Sequence, residues 1–214
     1  METKRIRLKT FLLAVVSVFI LEAAAGFLSL PDDFKLPFIG MLRIIEIIML
    51  LLIARFFEKS TASIGLEPAT LWKGLTRGCL WSAGFAILAG ISGIVLFLFG
   101  VNPLPLFRTN LPGNPLSLSL FFLVGGIIAP FAEEMFFRGL IFGFFRRTGF
   151  WFALVFSTVF FVSLHSSASF IPISQIVGGI VFAVAYELEK NLLVPVTIHV
   201  AGNLAIFSIS LLSS

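Results

Sequence analysis

The sequence predicts an all-α, polytopic bundle of about seven transmembrane helices, and three observations carry that prediction. Hydrophobic residues make up 58% of the 214 residues and charged residues only 12%, where soluble domains carry about a quarter charged residues. The mean hydropathy is +1.08. The apolar residues are also gathered into runs of spanning length, separated by segments holding Pro, Asn, Gly or charge.

The first run, Phe11 to Leu30, follows Lys4, Arg5, Arg7 and Lys9 and resembles a signal peptide, with Ala23, Ala24 and Ala25 as a candidate cleavage region. We read it as an uncleaved span, because it is long enough to cross and six more runs follow. Those are Phe38 to Phe57, Cys79 to Phe99, Leu116 to Phe145, Phe150 to Leu164, Ile173 to Leu188 and Leu192 to Leu212. The fourth is too long for a simple crossing. Gly125, Gly126 and Pro130 lie in its middle, where proline removes a helix hydrogen bond and predicts a kink.

The formal charge of +4 could suggest nucleic acid, but that reading needs a basic face with aromatic or hydrogen-bonding neighbours. The cations instead sit mainly in loops, where they set orientation. With a cytoplasmic amino terminus, Lys59 to Arg77, Arg146 to Arg147 and Lys190 are cytoplasmic as well, and the opposite loops hold only Lys35 and Arg108. The lone cysteine, Cys79, lies in an apolar run and is expected to be a small buried packing residue.

An isolated ionisable side chain in hydrocarbon costs about 2.5 kcal/mol or more, so each needs a partner or a polar cavity. Three places concentrate such groups. In Ala132-Glu133-Glu134-Met135-Phe136-Phe137-Arg138, Glu134 and Arg138 are four apart and can neutralise each other. Glu133 is about 100° around the helix and has Phe137 at its own four-residue spacing, so its partner must come from another helix. Phe161-Val162-Ser163-Leu164-His165 places a ring one turn before a histidine, and His199-Val200-Ala201-Gly202-Asn203 places His199 and Asn203 on one helical face.

Depth arithmetic brings the three places together. Glu133 lies fourteen residues before Arg147 and His165 sixteen after Gly149, about 21 Å and 24 Å at 1.5 Å per residue. His199 and Asn203, nine and thirteen residues beyond Lys190, lie about 14 Å and 20 Å from the same side. One intramembrane site can hold all four.

In order, Glu133-Glu134-x-x-x-Arg138, Phe161-x-x-x-His165 and His199-x-x-x-Asn203 resemble the three motifs of the CAAX-protease and bacteriocin-processing family of intramembrane proteases, also called Abi or CPBP. Gly139 and the basic turn near Arg146 match its pattern too. The resemblance covers 116–212 as a catalytic core, with 1–115 as amino-terminal helices of looser likeness in one integral membrane domain.

The resemblance implies a glutamate-dependent endopeptidase. Glu133 with His165 would activate water, His199 and Asn203 would serve the oxyanion, and Glu134, Arg138 and Phe161 would support them. The expected partners are a membrane-anchored protein or peptide substrate and the lipid bilayer, with no nucleic acid. The expected place is the plasma membrane of a prokaryote. No cofactor is expected. Zinc is the alternative, since Glu133, His165 and His199 are a zinc-ligand set, although the His-Glu-x-x-His helix is absent.

Other classes compete with this. A noncatalytic scaffold need not retain an unpaired buried glutamate, and a proton-coupled transporter usually carries inverted repeats, which are not seen here. Arg43 and Glu46, three apart, read as a structural pair, and Glu22 as a boundary residue. Gly139 and Gly143 read as close helix packing, and the 27 phenylalanines as lipid-facing and core filling.

Overall fold

The computed structural model describes residues 5–165 and 172–212; Lys4 lies outside them. Among the described residues the chain is helical with no strand. Seven long helices form the bundle: α1 Leu8–Gly26, α2 Asp32–Phe57, α3 Leu71–Leu98, α4 Pro115–Thr148, α5 Phe150–His165, α6 Ile173–Glu189 and α7 Leu193–Leu212. α1, α2, α3, α4 and α7 are long and apolar enough to cross a membrane by length and composition. α5, with 16 residues, and α6, with 17, are shorter.

The helix starts follow from local chemistry. Asp32 and Asp33 lie in the first turn of α2, where the helix dipole favours acids. Asn114 caps α4, its Oδ1 accepting from the Ser117 backbone N–H at 2.8 Å, with Pro115 next, where a missing N–H costs nothing. Short 3₁₀ turns at Thr61–Ile64 and Pro68–Thr70 connect α2 to α3. Gly65 closes the first of them at φ +79°, a left-handed conformation suited to glycine, and its carbonyl accepts from the Leu192 N–H at 2.9 Å.

α4 is the central helix, and every residue of Met135–Phe142 is buried. Ile6 and Ile64 lie against Gly143 and Gly139, where an added Cβ would come within 3.2 Å of each. The Gly139 and Gly143 pair therefore packs inside this chain.

The helix bounds differ from the apolar runs in an instructive way. α3 starts at Leu71 rather than Cys79, and α2 at Asp32 rather than Phe38. Hydropathy marks where hydrocarbon begins, whereas Lys73, Arg77, Asp32 and Lys35 continue the helix into the headgroup region. Cys79 is exposed rather than buried. The outside of a membrane span meets lipid, so apolar neighbours do not mark an interior position.

The glycines and Pro130 in α4 sit in and beside a π-helical stretch, Val124–Ile128, and a second one follows at Met135–Phe142.

α3 approaches α7 closely at Gly78, where an added Cβ would lie 2.5 Å from the Thr197 Cβ. Gly78→Leu is therefore expected to cost about 1–3 kcal/mol through overpacking. A lowered thermal midpoint in detergent is the check.

Candidate active site

Glu134 and Arg138 form the floor of the site. Both are 0% exposed, which in a membrane span requires full mutual compensation. The Arg138 Nη1 donates to Glu134 Oε1 at 2.9 Å and its Nη2 to the Gly179 carbonyl at 3.2 Å. Its guanidinium also lies 4.7 Å from the Phe161 ring centroid and 5.1 Å from that of Phe182, so aromatic faces replace water around the charge.

Glu134 does more than neutralise Arg138. Its Oε1 also pairs with His199 Nδ1 at 2.8 Å, which ties the α7 histidine to α4. The Phe182 ring stacks on the His199 ring at 4.7 Å and 22°. On α5, His165 Nδ1 lies 2.8 Å from the Phe161 carbonyl one turn back, and the two rings are 4.4 Å apart. A carbonyl can only accept, so His165 Nδ1 carries the hydrogen.

With both Nδ1 atoms committed, both Nε2 atoms turn to the same place. Glu133 Oε2 lies 3.6 Å from His165 Nε2 and 3.8 Å from His199 Nε2. Glu133 thus obtains from two other helices the partners its own helix lacks. These separations exceed a direct hydrogen bond. The side chain of Glu133 is 17% exposed and that of His165 31%, against 9% for His199, so the site opens on the Glu133 and His165 side.

Asn203 lies one turn beyond His199 on α7 but shares no hydrogen bond with Glu133 or the histidines. Its Nδ2 donates instead to the Gly125 carbonyl at 2.9 Å. Away from the site, Arg43 Nη1 binds Glu46 at 2.5 Å and also Glu22. The pair expected within α2 therefore extends to α1. Among the described residues no group of three or more His, Cys, Asp or Glu side chains is arranged to hold a metal ion.

The Glu134–His199 bond, the ring of Phe182 and the Gly179 and Gly125 carbonyls are absent from the sequence reading. Phe182 is one of 27 phenylalanines, and its four-residue spacing to Tyr186 and Gly178 gives it no charged neighbour to mark it.

Residues 115–205 match the family described as Type II CAAX prenyl endopeptidase Rce1-like. Every residue of the cluster lies inside that range. Over 163 residues the chain is 30% identical to Putative membrane peptidase YdiL of Bacillus subtilis (strain 168), covering 73% of this chain and 64% of that protein. Over 93 residues it is 33% identical to Membrane-embedded CAAX protease MroQ of Staphylococcus aureus (strain USA300), covering 40% and 37%. The matched regions thus span less than two thirds of either relative. No solved structure matches.

Proposed function

Because the chain belongs to the CAAX-protease and bacteriocin-processing family through residues 115–205, we propose that it is an intramembrane endopeptidase in which Glu133 and His165 activate water. The observation that supports this most is the convergence of two histidine Nε2 atoms on Glu133 Oε2, with both Nδ1 atoms held elsewhere. Residues 116–212 are the catalytic core, and 1–115 supply amino-terminal transmembrane helices.

A water between Glu133 and His165 gives its proton to the Glu133 carboxylate as its oxygen attacks the scissile carbonyl. The resulting oxyanion lies against His199, whose ring Glu134 orients, and accepts from the second amide hydrogen of Asn203. Collapse breaks the C–N bond, and the proton held by Glu133 passes to the departing amine. One water is consumed, leaving a carboxylic acid and an amine, which settle as a carboxylate and an ammonium group once the acid gives up its proton.

Burial of the site suits a substrate that reaches it from the bilayer, a membrane-anchored protein or peptide. The cations at the ends of α2 and α4 and the starts of α1 and α3 favour a cytoplasmic amino terminus in the plasma membrane of a prokaryote.

No step needs a metal. Cleavage of a farnesylated peptide ending in a CAAX sequence, by the purified protein in liposomes, is expected to be unchanged by 1,10-phenanthroline; loss of activity restored by zinc would overturn the metal-free mechanism. In the same assay His165→Ala is expected to lower kcat by about 10²-fold or more. An unaltered kcat would remove His165 from the chemistry.

A further inference from the structure

The hydrogen bond from Asn203 exists because α4 leaves one carbonyl without its own partner. In the π-helical stretch the Ala129 N–H donates to the Val124 carbonyl, five residues back. An α-helix would have given that N–H to Gly125. The next donor along the π register is residue 130, which is proline and has no N–H. Gly125 therefore keeps an open carbonyl inside the membrane, where an unsatisfied backbone group is costly. Asn203 fills it at 2.9 Å.

The neighbouring contacts hold α7 against this turn. An added Cβ at Gly126 would lie 2.7 Å from Leu204 Cδ2, and one at Gly125 3.4 Å from the Phe207 ring. A methyl group at Gly126 would have to displace the Leu204 side chain, whereas one at Gly125 would make an ordinary contact with the Phe207 ring.

From this geometry we propose that Pro130 and the Gly125 carbonyl are positioning residues for the Asn203 amide. An asparagine amide has two hydrogens. Anchoring one on Gly125 fixes the plane of the amide and leaves the other for the oxyanion. Pro130 preserves the anchor by withholding the N–H that would compete for it. The part played at the oxyanion rests on the endopeptidase reading above; the anchor itself does not.

A double-mutant cycle separates the two. Thermal midpoints in detergent are measured for the unaltered protein, Pro130→Ala, Asn203→Ala and the double variant. Asn203→Ala is expected to lower the midpoint, and to lower it clearly less in the Pro130→Ala background, where the new N–H can serve Gly125. Equal losses in both backgrounds would overturn the anchor.

The second arm compares peptides released in cells producing each variant at matched levels, with Glu133→Gln as the reference for no cleavage. Pro130→Ala is expected to reduce the Glu133-dependent products about tenfold or more at an equal or higher thermal midpoint. A merely structural bond would not separate activity from stability in that way, so undiminished products would overturn the positioning role. If the Glu133→Gln and unaltered cells release the same peptides, the endopeptidase reading fails and with it the positioning role at the oxyanion. The stability cycle still decides the anchor.

Discussion

Glu133→Gln is expected to reduce peptide cleavage by about 10²–10⁴-fold while leaving the bundle intact. The substitution keeps the shape of the side chain and removes its charge together with its capacity to take a proton. Nothing in the packing of α4 depends on that capacity, because Glu133 Oε2 lies beyond direct hydrogen-bond distance from both histidines, at 3.6 Å and 3.8 Å. The thermal midpoint should therefore stay close to that of the unaltered protein. A variant that turns over at full rate would remove Glu133 as the base, and one that fails to fold would make it a structural residue.

The opposite profile is expected for Arg138→Leu. This guanidinium is 0% exposed, pairs with Glu134 and Gly179, and is enclosed by Phe161 and Phe182. Its removal leaves the Glu134 carboxylate buried without its cation. Breaking a buried pair from one side costs about 3–5 kcal/mol, a large share of the stability of a domain. The measurement is the thermal midpoint in detergent, with Arg138→Lys as the control. Lysine restores the charge without the planar fork that reaches Glu134 and Gly179 together, so it should recover part of the loss. Equal stability in Arg138→Leu would show that Glu134 has another source of compensation.

Much of this arrangement is legible in the sequence because hydrocarbon makes every charge conspicuous. Glu133 has no cation on its own helix, and the depth arithmetic leaves His165 and His199 as the groups that can reach it; the structure brings the three together. Glu134 misleads for the same reason. Arg138 four residues on satisfies it within the helix, so nothing in the sequence requires the further bond to His199, although one carboxylate oxygen accepts both.

Asn203 shows where residue types stop being informative. Its spacing from His199 places it on the right face, but its partner is a backbone carbonyl released by a π register. That register depends on how the α4 ladder shifts at Val124–Ile128, and Gly125, Gly126 and Pro130 alone are equally compatible with a proline kink. Cys79 fails by a different route. Apolar surroundings mean interior only where the solvent is water, and here lipid supplies them from outside.

The central claim, that Glu133 drives hydrolysis of a membrane-associated peptide, is tested most directly by comparing peptide termini in membranes and medium of cells producing the unaltered protein or Glu133→Gln at equal abundance. The account predicts a defined set of new termini found only with the unaltered protein. The same termini at the same abundance in both would contradict it.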